Sequence, residues 1–490
     1  MASLKKPRQS RLKVKIQNMD GYVLGIDIGT TSVKVCVLSL KENVVVAEQS
    51  KDTQSNVPSD QGIDGNKQDV PKIISAINTC VAKFSKDLLQ QVIRIGVCGQ
   101  MHGVLFWHHR CGKAWERIEK DGTLIRYDVK PEQVSNSYTW QDNRCSKEFL
   151  NSLPVPDSHL QIHSGFGIAT MFWMFRNRPE ELEKYDHAGT IQDFTVSMLC
   201  DITQHYISEQ NASSWGYFDC KKYAWNLELL DAAGFPVKML PEIKRTGEVA
   251  GLLADTWHSI PKGTPIGVAM GDLQCSVLST IEKEDDAVLN ISTSAQIAYV
   301  VNQLEEKELM GPPKEKPMIH LPYFDGSYLA VAASLNGGNS LATFVKVLQQ
   351  WILEFGFSVP QDRVWAKLIE LSQEERAVSD LRINPTCLGE RHDPELTASV
   401  TNINVGNLGL GQVFRALCEG MISNLHSMMT KDVLKRANIG RIICSGSAVA
   451  RNETLQNTVK EIYGLPFKLA KGSDAAKGAA MAMKPKGLVQ

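Results

Sequence analysis

The chain has 490 residues, with 53 Lys and Arg against 54 Asp and Glu; a net charge of -1 gives no global field to draw it to nucleic acid or anionic lipid. Its 43% hydrophobic and 22% charged residues suit a soluble globular protein, and the length calls for more than one core. No run approaches the ~20 apolar residues of a membrane span, and eleven cysteines without a Cys-x-x-Cys pair read as free thiols of a reducing, cytoplasmic compartment.

Residues 1–20 carry Lys5, Lys6, Arg8, Arg11, Lys13 and Lys15 with no apolar stretch after them, the pattern of a disordered basic tail. The first strong signal is GIDIGTTSVK, residues 25–34: an apolar strand, a glycine, three hydroxyls and a second strand. Gly29 lets the backbone turn closely, the amides and hydroxyls of Thr30, Thr31 and Ser32 suit phosphate oxygens, and Lys34 adds charge. Side chains alternate along a strand, so Asp27 lies on the face opposite Ile26 and Ile28, where it can reach a hydrated magnesium ion.

From Asp69 to about Gln90 the spacing predicts a helix, with Ile73, Ile74, Ile77, Val81 and Phe84 on one face. The strand VIRIGVCG follows, and this alternation predicts α/β layers. CGQMHG (98–103) ends that strand in a loop offering Gln100 and His102 to hydroxyls. TWQDNR (139–144), read as extended, places Trp140, Asp142 and Arg144 on one face. A ring beside a carboxylate and a planar donor suits a sugar; it also suits a corner of an interface.

IGVAMGDLQCSVLSTI (266–281) runs through Gly271 into a helix with Asp272 at or near its N-cap. Capping alone explains such an aspartate; the alternative is a general base kept ionised by the helix N-terminus. Residues 288–301, VLNISTSAQIAYVV, repeat the opening pattern. With Ile28 beside Ile291, Asp27 faces Asn290, Gly29 faces Ser292, Thr30 faces Thr293 and Thr31 faces Ser294. A repeat at that separation is a duplicated domain, here drawn as 21–264 and 265–490, with two lobes facing across a cleft and a hydroxyl turn from each at its floor.

AASLNGGNS (332–340) sets Gly337 and Gly338 before an apolar helix, and IICSGSAVARNETLQ (442–456) leads through Gly446 and Ser447 into a helix that should carry Asn452. Strand-to-helix turns of this kind are where α/β folds hold nucleotides. SDAAKGAAMA (473–482) supplies small residues for tight helix packing. Neither hydroxyl turn matches a Walker loop or a G-x-G-x-x-G entry.

Taken in order, DIGTTSVK, GQMHG, WQDNR, MGDLQ, GGN and SGSAVARN resemble the FGGY carbohydrate kinases, from about Gly21 to about Lys484. The resemblance implies two actin-like, ribonuclease H-like α/β lobes, ATP as co-substrate, Mg2+, and a small-molecule ketose as acceptor, in a monomer or homodimer. It also implies residue roles. Asp272 matches the base and touches the reacting hydroxyl, while Met101 and His102 match sugar contacts. Gly29 to Ser32 with Lys34, and Thr293, match the two phosphate turns; Gly337 or Gly338, Gly446, Ser447 and Asn452 match nucleotide contacts, and Asp27 the acid near magnesium. Many members have Gly-Thr-Ser where this chain has Ser292-Thr293-Ser294. Another ketose kinase such as a xylulokinase, or an actin-like ATPase without a sugar, are the competing readings.

Overall fold

Both repeated segments fold as antiparallel hairpins, because each is a run of β-branched residues broken only by a short polar turn. The computed structural model describes residues 21–108, 113–120, 123–305, 308–309, 316–470 and 475–485, so the basic tail lies outside the described residues.

In the first sheet, Tyr22–Ile28 pairs antiparallel with Ser32–Ser39, which pairs antiparallel with Val45–Asp52. On its other side Tyr22–Ile28 pairs parallel with Val92–Gly99, and that strand with Pro265–Gly267 and Met270–Gly271. The second sheet repeats the order. Asp286–Ile291 pairs antiparallel with Ala295–Val301, and that strand with Tyr328–Ser334. On the other side run the parallel strands Arg441–Ser445 and Phe467–Leu469. The shared strand order is the duplication seen in the sequence.

Strand periodicity divides the first sheet between two cores. Leu24, Ile26 and Ile28 pack with Ile73, Ile74 and Ile77 of the helix Val70–Val81. Val23, Cys36 and Leu38 face the other way, onto Ala476, Ala480 and Met483 of the C-terminal helix region. That helix, Ala475–Ala482, sits so close that a Cβ on Gly25 or Gly96 would overlap its carbonyls, a close approach that the small residues of both elements allow.

Two expectations need correction. The helix read from Asp69 to about Gln90 stops at Val81: Asp69 caps its start, accepting from the Lys72 amide at 2.9 Å, and Ser85 caps a separate short helix, Lys86–Leu89. The division at residue 264 cuts through the first sheet, whose parallel ladder takes in Pro265–Gly267 and Met270–Gly271. The C-terminal helix also packs on that sheet. Between the halves lies the helix Asp272–Thr280, whose Cys275 packs with Cys98, Ala475 and Ala479, and whose Val277 packs with Val288, Ala298 and Val331 of the second sheet. No helix among the described residues is long and apolar enough to cross a membrane, and the described cysteines are free thiols.

Candidate active site

Ladder register fixes the two turns. Ile28 pairs with Val33, leaving residues 29–32 to close the first, where the Gly29 amide donates to the Ser32 carbonyl at 3.0 Å. Ile291 pairs with Ala295, leaving only residues 292–294 in the second, where the Ser292 amide donates to the Ser294 carbonyl at 3.0 Å. Neither Gly29 nor any of Ser292, Thr293 and Ser294 has positive φ, so serine takes the place of glycine in the second turn without backbone strain.

A cavity of about 910 Å³ opens between the two sheets and is lined by Asp27, Thr30, Thr31 and Lys34 from the first hairpin and by Asn290, Ser292, Thr293 and Ser294 from the second. Asp272, Gly446 and Ser447 line the same space. Gly446 stands at φ +102, and a Cβ there would lie 2.6 Å from Asn290 Oδ1, so only glycine lets the turn pass this close to the second hairpin. Gly29 and Ser32 close the first turn from behind. Gly337 and Gly338 back the second turn, the Gly338 amide donating to the Ser292 carbonyl at 2.9 Å. Asn452 is buried, caps the helix Glu453–Tyr463 through the Leu455 amide at 3.2 Å, and does not line the cavity; capping replaces the expected nucleotide contact.

Asp272 is the first residue of its helix, with Gly271 at the N-cap, and its Oδ1 accepts from the Leu273 amide at 2.7 Å. Enclosure in the cavity floor raises its carboxyl from 3.8 to about 6, outweighing the amide bonds that lower it. Burial thus outweighs the amides of the helix N-terminus in setting its titration. The group is still mainly a carboxylate at neutral pH, and it is the kind of acid that accepts a proton near that pH.

Beside the turns, one side of the cavity is largely aromatic. Met101, His102 and Trp140 line it, joined by His163, Phe166 and Arg391, which the sequence reading did not single out as site residues. His102 has φ +73, an uncommon conformation for a residue with a Cβ, held by its amide donating to Ser214 Oγ at 3.2 Å. Its Nδ1 donates to the Ser214 carbonyl at 2.8 Å, leaving Nε2 as an acceptor, and its ring stacks on Phe166 at 4.5 Å. Burial, assisted by Arg391, depresses this imidazole to about 3, so it is neutral at working pH.

TWQDNR is a turn rather than an extended strand, and its residues part company. Trp140 faces the cavity and its Nε1 donates to Thr30 Oγ1 at 3.0 Å. Asp142 is 0% exposed and Arg144 7%. They form a two-point ion pair at 2.6 and 2.9 Å, with Asp142 also accepting from the Asn66 amide at 2.8 Å and Arg144 lying over the Tyr138 ring. Their polar atoms are spent on each other, so the expected sugar contact from Asp142 and Arg144 is withdrawn. Gln100 is likewise buried; its Nε2 donates to Gln68 Oε1 at 2.9 Å, and Gln68 Nε2 donates to the Thr30 carbonyl at 2.6 Å, so it braces the first turn from behind.

Among the described residues no three His, Cys, Asp or Glu side chains gather into a metal cage. Magnesium needs no such cage, since one or two carboxylates with substrate phosphates and water hold it; Asp27 lines the cavity beside the first turn. The missed residues left one readable trace: Arg391 and His392 lie between Gly389 and Pro394, a turn signal in a segment without strand or helix periodicity.

The family model for the FGGY family of carbohydrate kinases, N-terminal domain, matches residues 22–113 and 119–279. The chain is 46% identical to a sedoheptulokinase of Mus musculus over 473 residues, covering 95% of this chain and 98% of that one. It is 44% identical to a sedoheptulokinase of Homo sapiens, covering 94% and 96%. Its fold is similar to the crystal structure of xylulose kinase from Rhodospirillum rubrum, with a TM-score of 0.74 at 19% identity over 94% of this chain and 89% of that one.

Proposed function

The chain belongs to the FGGY family of carbohydrate kinases, and on that premise we propose that it transfers the γ-phosphoryl group of ATP to the C7 hydroxyl of sedoheptulose. The observation that carries the kinase reading is the single cavity in which two hydroxyl turns from opposite sheets meet one carboxylate. The near-full-length likeness to two sedoheptulokinases supports the seven-carbon ketose. The products are then ADP and sedoheptulose 7-phosphate, an intermediate of the pentose phosphate pathway, in a reducing cytoplasm suited to the free thiols.

In this reading Asp272 takes the proton of the attacking primary hydroxyl as its oxygen bonds to the γ-phosphorus and the bond to the ADP oxygen breaks. Met101, His102 and Trp140 hold the sugar, with His102 Nε2 accepting from a hydroxyl. The turns at Gly29 to Ser32 and at Thr293, with Lys34, Gly446 and Ser447, hold the triphosphate, and Gly337 and Gly338 shape the second turn. Asp27 would hold a hydrated magnesium ion, which when bound neutralises charge on the phosphates. Closure of the cleft excludes water, so that phosphoryl transfer goes to the sugar.

The test is an ADP-release assay over sedoheptulose, xylulose, glycerol and gluconate, with the product position read by NMR. The expected result is the highest kcat/KM for sedoheptulose and phosphate on C7. A preference for xylulose would assign a shorter ketose, and ADP release independent of any sugar would favour an actin-like ATPase.

A further inference from the structure

A turn over residues 389–394, in the second half of the chain, brings Arg391 and His392 to the cavity wall. Glu390 and Asp393 bridge each other through both backbone bonds, at 3.0 and 3.1 Å, so Arg391 and His392 form the tip of a two-residue turn. Gly389, at φ +62, starts it. The base of this turn is fastened by one buried carboxylate. Glu390, 1% exposed, accepts from Ser334 Oγ at 2.6 Å, the Leu335 amide at 2.9 Å, Asn336 Nδ2 at 3.0 Å and Asn424 Nδ2 at 2.7 Å. Four donors on one carboxylate make a rigid mount, and three of them come from the segment that leads into Gly337 and Gly338.

The tip carries a guanidinium whose N–H donors no protein group is shown to accept. Among the described residues Arg391 makes no hydrogen bond and no close ion pair; its Cζ lies 5.7 Å from the centroid of the Phe166 ring, and the neighbouring Glu390 carboxylate favours its charge. It is half-buried and lines the cavity, where its N–H donors are open to a ligand. A rigidly mounted cation whose N–H groups face a cavity is arranged for a ligand.

We propose that Arg391 is a substrate-reading residue: brought across the cleft by the second lobe, its guanidinium donates to oxygens of the ketose at the end remote from the phosphorylated hydroxyl. This rests on the ketose-kinase reading above. The remote end follows from the neighbours. Arg391 lies over Phe166, which stacks on His102, and its charge depresses both His102 and His163, whereas Asp272 is displaced by burial with no contribution from Arg391. Both imidazoles are neutral beside it. Because the second lobe supplies this contact and the first supplies His102, a ketose that reaches both bridges the lobes, and one too short to do so does not.

Oxygen acceptors on a sugar and on a phosphate present the same chemistry to a guanidinium, and separate Michaelis constants tell them apart. Full-length wild type and Arg391→Gln, Arg391→Lys and Glu390→Gln variants are assayed with sedoheptulose varied at saturating ATP, and with ATP varied at saturating sedoheptulose. Loss of a charged hydrogen bond raises the sugar KM roughly 10- to 100-fold in Arg391→Gln, with the ATP KM within about twofold. Arg391→Lys recovers part of the loss, since it keeps the charge without the planar fork. Glu390→Gln, a positioning change, moves the sugar KM the same way by less. An unchanged sugar KM in an Arg391→Gln protein that melts with wild type overturns the inference, as does an equal rise in the ATP KM. Wild-type enzyme that turns over no ketose removes the underlying reading, and this inference with it; wild type active on sedoheptulose beside an unaffected Arg391→Gln removes this inference alone.

Discussion

The two hairpins share strand pairing and sheet position but differ in length, charge and support. The first closes with residues 29–32 and has Asp27 opposite Lys34 in its ladder; the second closes with residues 292–294 and has Asn290 opposite Gln296. The first turn is held mainly by side chains, Gln68 and Trp140 on Thr30, with one backbone amide, that of Thr53, on the Thr31 carbonyl at 3.0 Å. The second is held by backbone amides, those of Gly338 and Asn339 on Ser292 and Thr293 at 2.9 and 3.0 Å. A duplicated scaffold has thus diverged at its working ends. The first turn is wired through Trp140 to the aromatic side of the cavity, and the second to the Gly337–Gly338 turn and, through Ser334 to Asn336, to the mount of Arg391. Only the first carries a carboxylate next to its turn, Asp286 of the second being paired with Arg441 at the far end of its strand, which is the physical basis for proposing the cation there.

Asp272 belongs to neither hairpin, and its loss has the largest expected effect. Asp272→Asn lowers kcat by ~10²- to 10⁴-fold with both substrates still binding, the usual contribution of a general base. A kcat within tenfold of wild type removes Asp272 from that role. In wild type kcat/KM rises with pH through about 6, because only the carboxylate accepts the proton, and the variant lacks this limb. Stability moves the other way. The folded group is raised from 3.8 to about 6, so its ionisation costs the folded state nothing below that window and its full amount above it. Asp272→Asn therefore melts above wild type at pH 8, by roughly 1–2 kcal/mol after allowance for partial exposure, and the gain vanishes by about pH 4.

Asp27→Asn makes the first hairpin match the second. The expected loss is about 100-fold in kcat with a higher magnesium requirement, and Asn290→Asp added to it restores neither, because the charge then sits on the hairpin with the shorter turn. A magnesium titration unchanged by Asp27→Asn shows the two hairpins to be equivalent for the cation.

The duplication was legible because it is written in short-range pattern: β-branched runs, a hydroxyl turn, and the same again at residues 288–301. Asp272 was legible from the strand-to-helix signal around Gly271. Its titration was not, since burial depends on two distant sheets closing over it. The Asp142–Arg144 pair shows the converse failure: residue types suited to a sugar satisfied each other inside the core, and nothing in the local spacing separates those outcomes. The lobe boundary failed because the strands at 265–271 and the helix at 475–482 find their partners far back in the chain, at residues 92–99 and 22–28. Arg391 was hidden for the same reason, its meaning resting on a carboxylate mount assembled from residues 334–336 and 424.

The smallest effects sharpen the contrast in support. A Cβ on Gly338 would overlap the Ser292 carbonyl and stand 3.1 Å from Ala448 Cβ, so Gly338→Ala must push the second turn away from the amide that holds it. Overpacking of this kind costs roughly 1–3 kcal/mol, and because the displaced turn is the proposed phosphate cradle, the ATP KM rises while the sugar KM holds. Gly29→Ala is milder, since Gly29 lacks positive φ and its new Cβ would meet only the Ser32 carbonyl, at 3.1 Å. Its expected cost is below about 1 kcal/mol, a few tenths of an ångström of adjustment in a four-residue turn. Urea melts of the two variants decide the matter: equal losses would mean that both turns are packed alike, and that the difference between side-chain and backbone support has no energetic consequence.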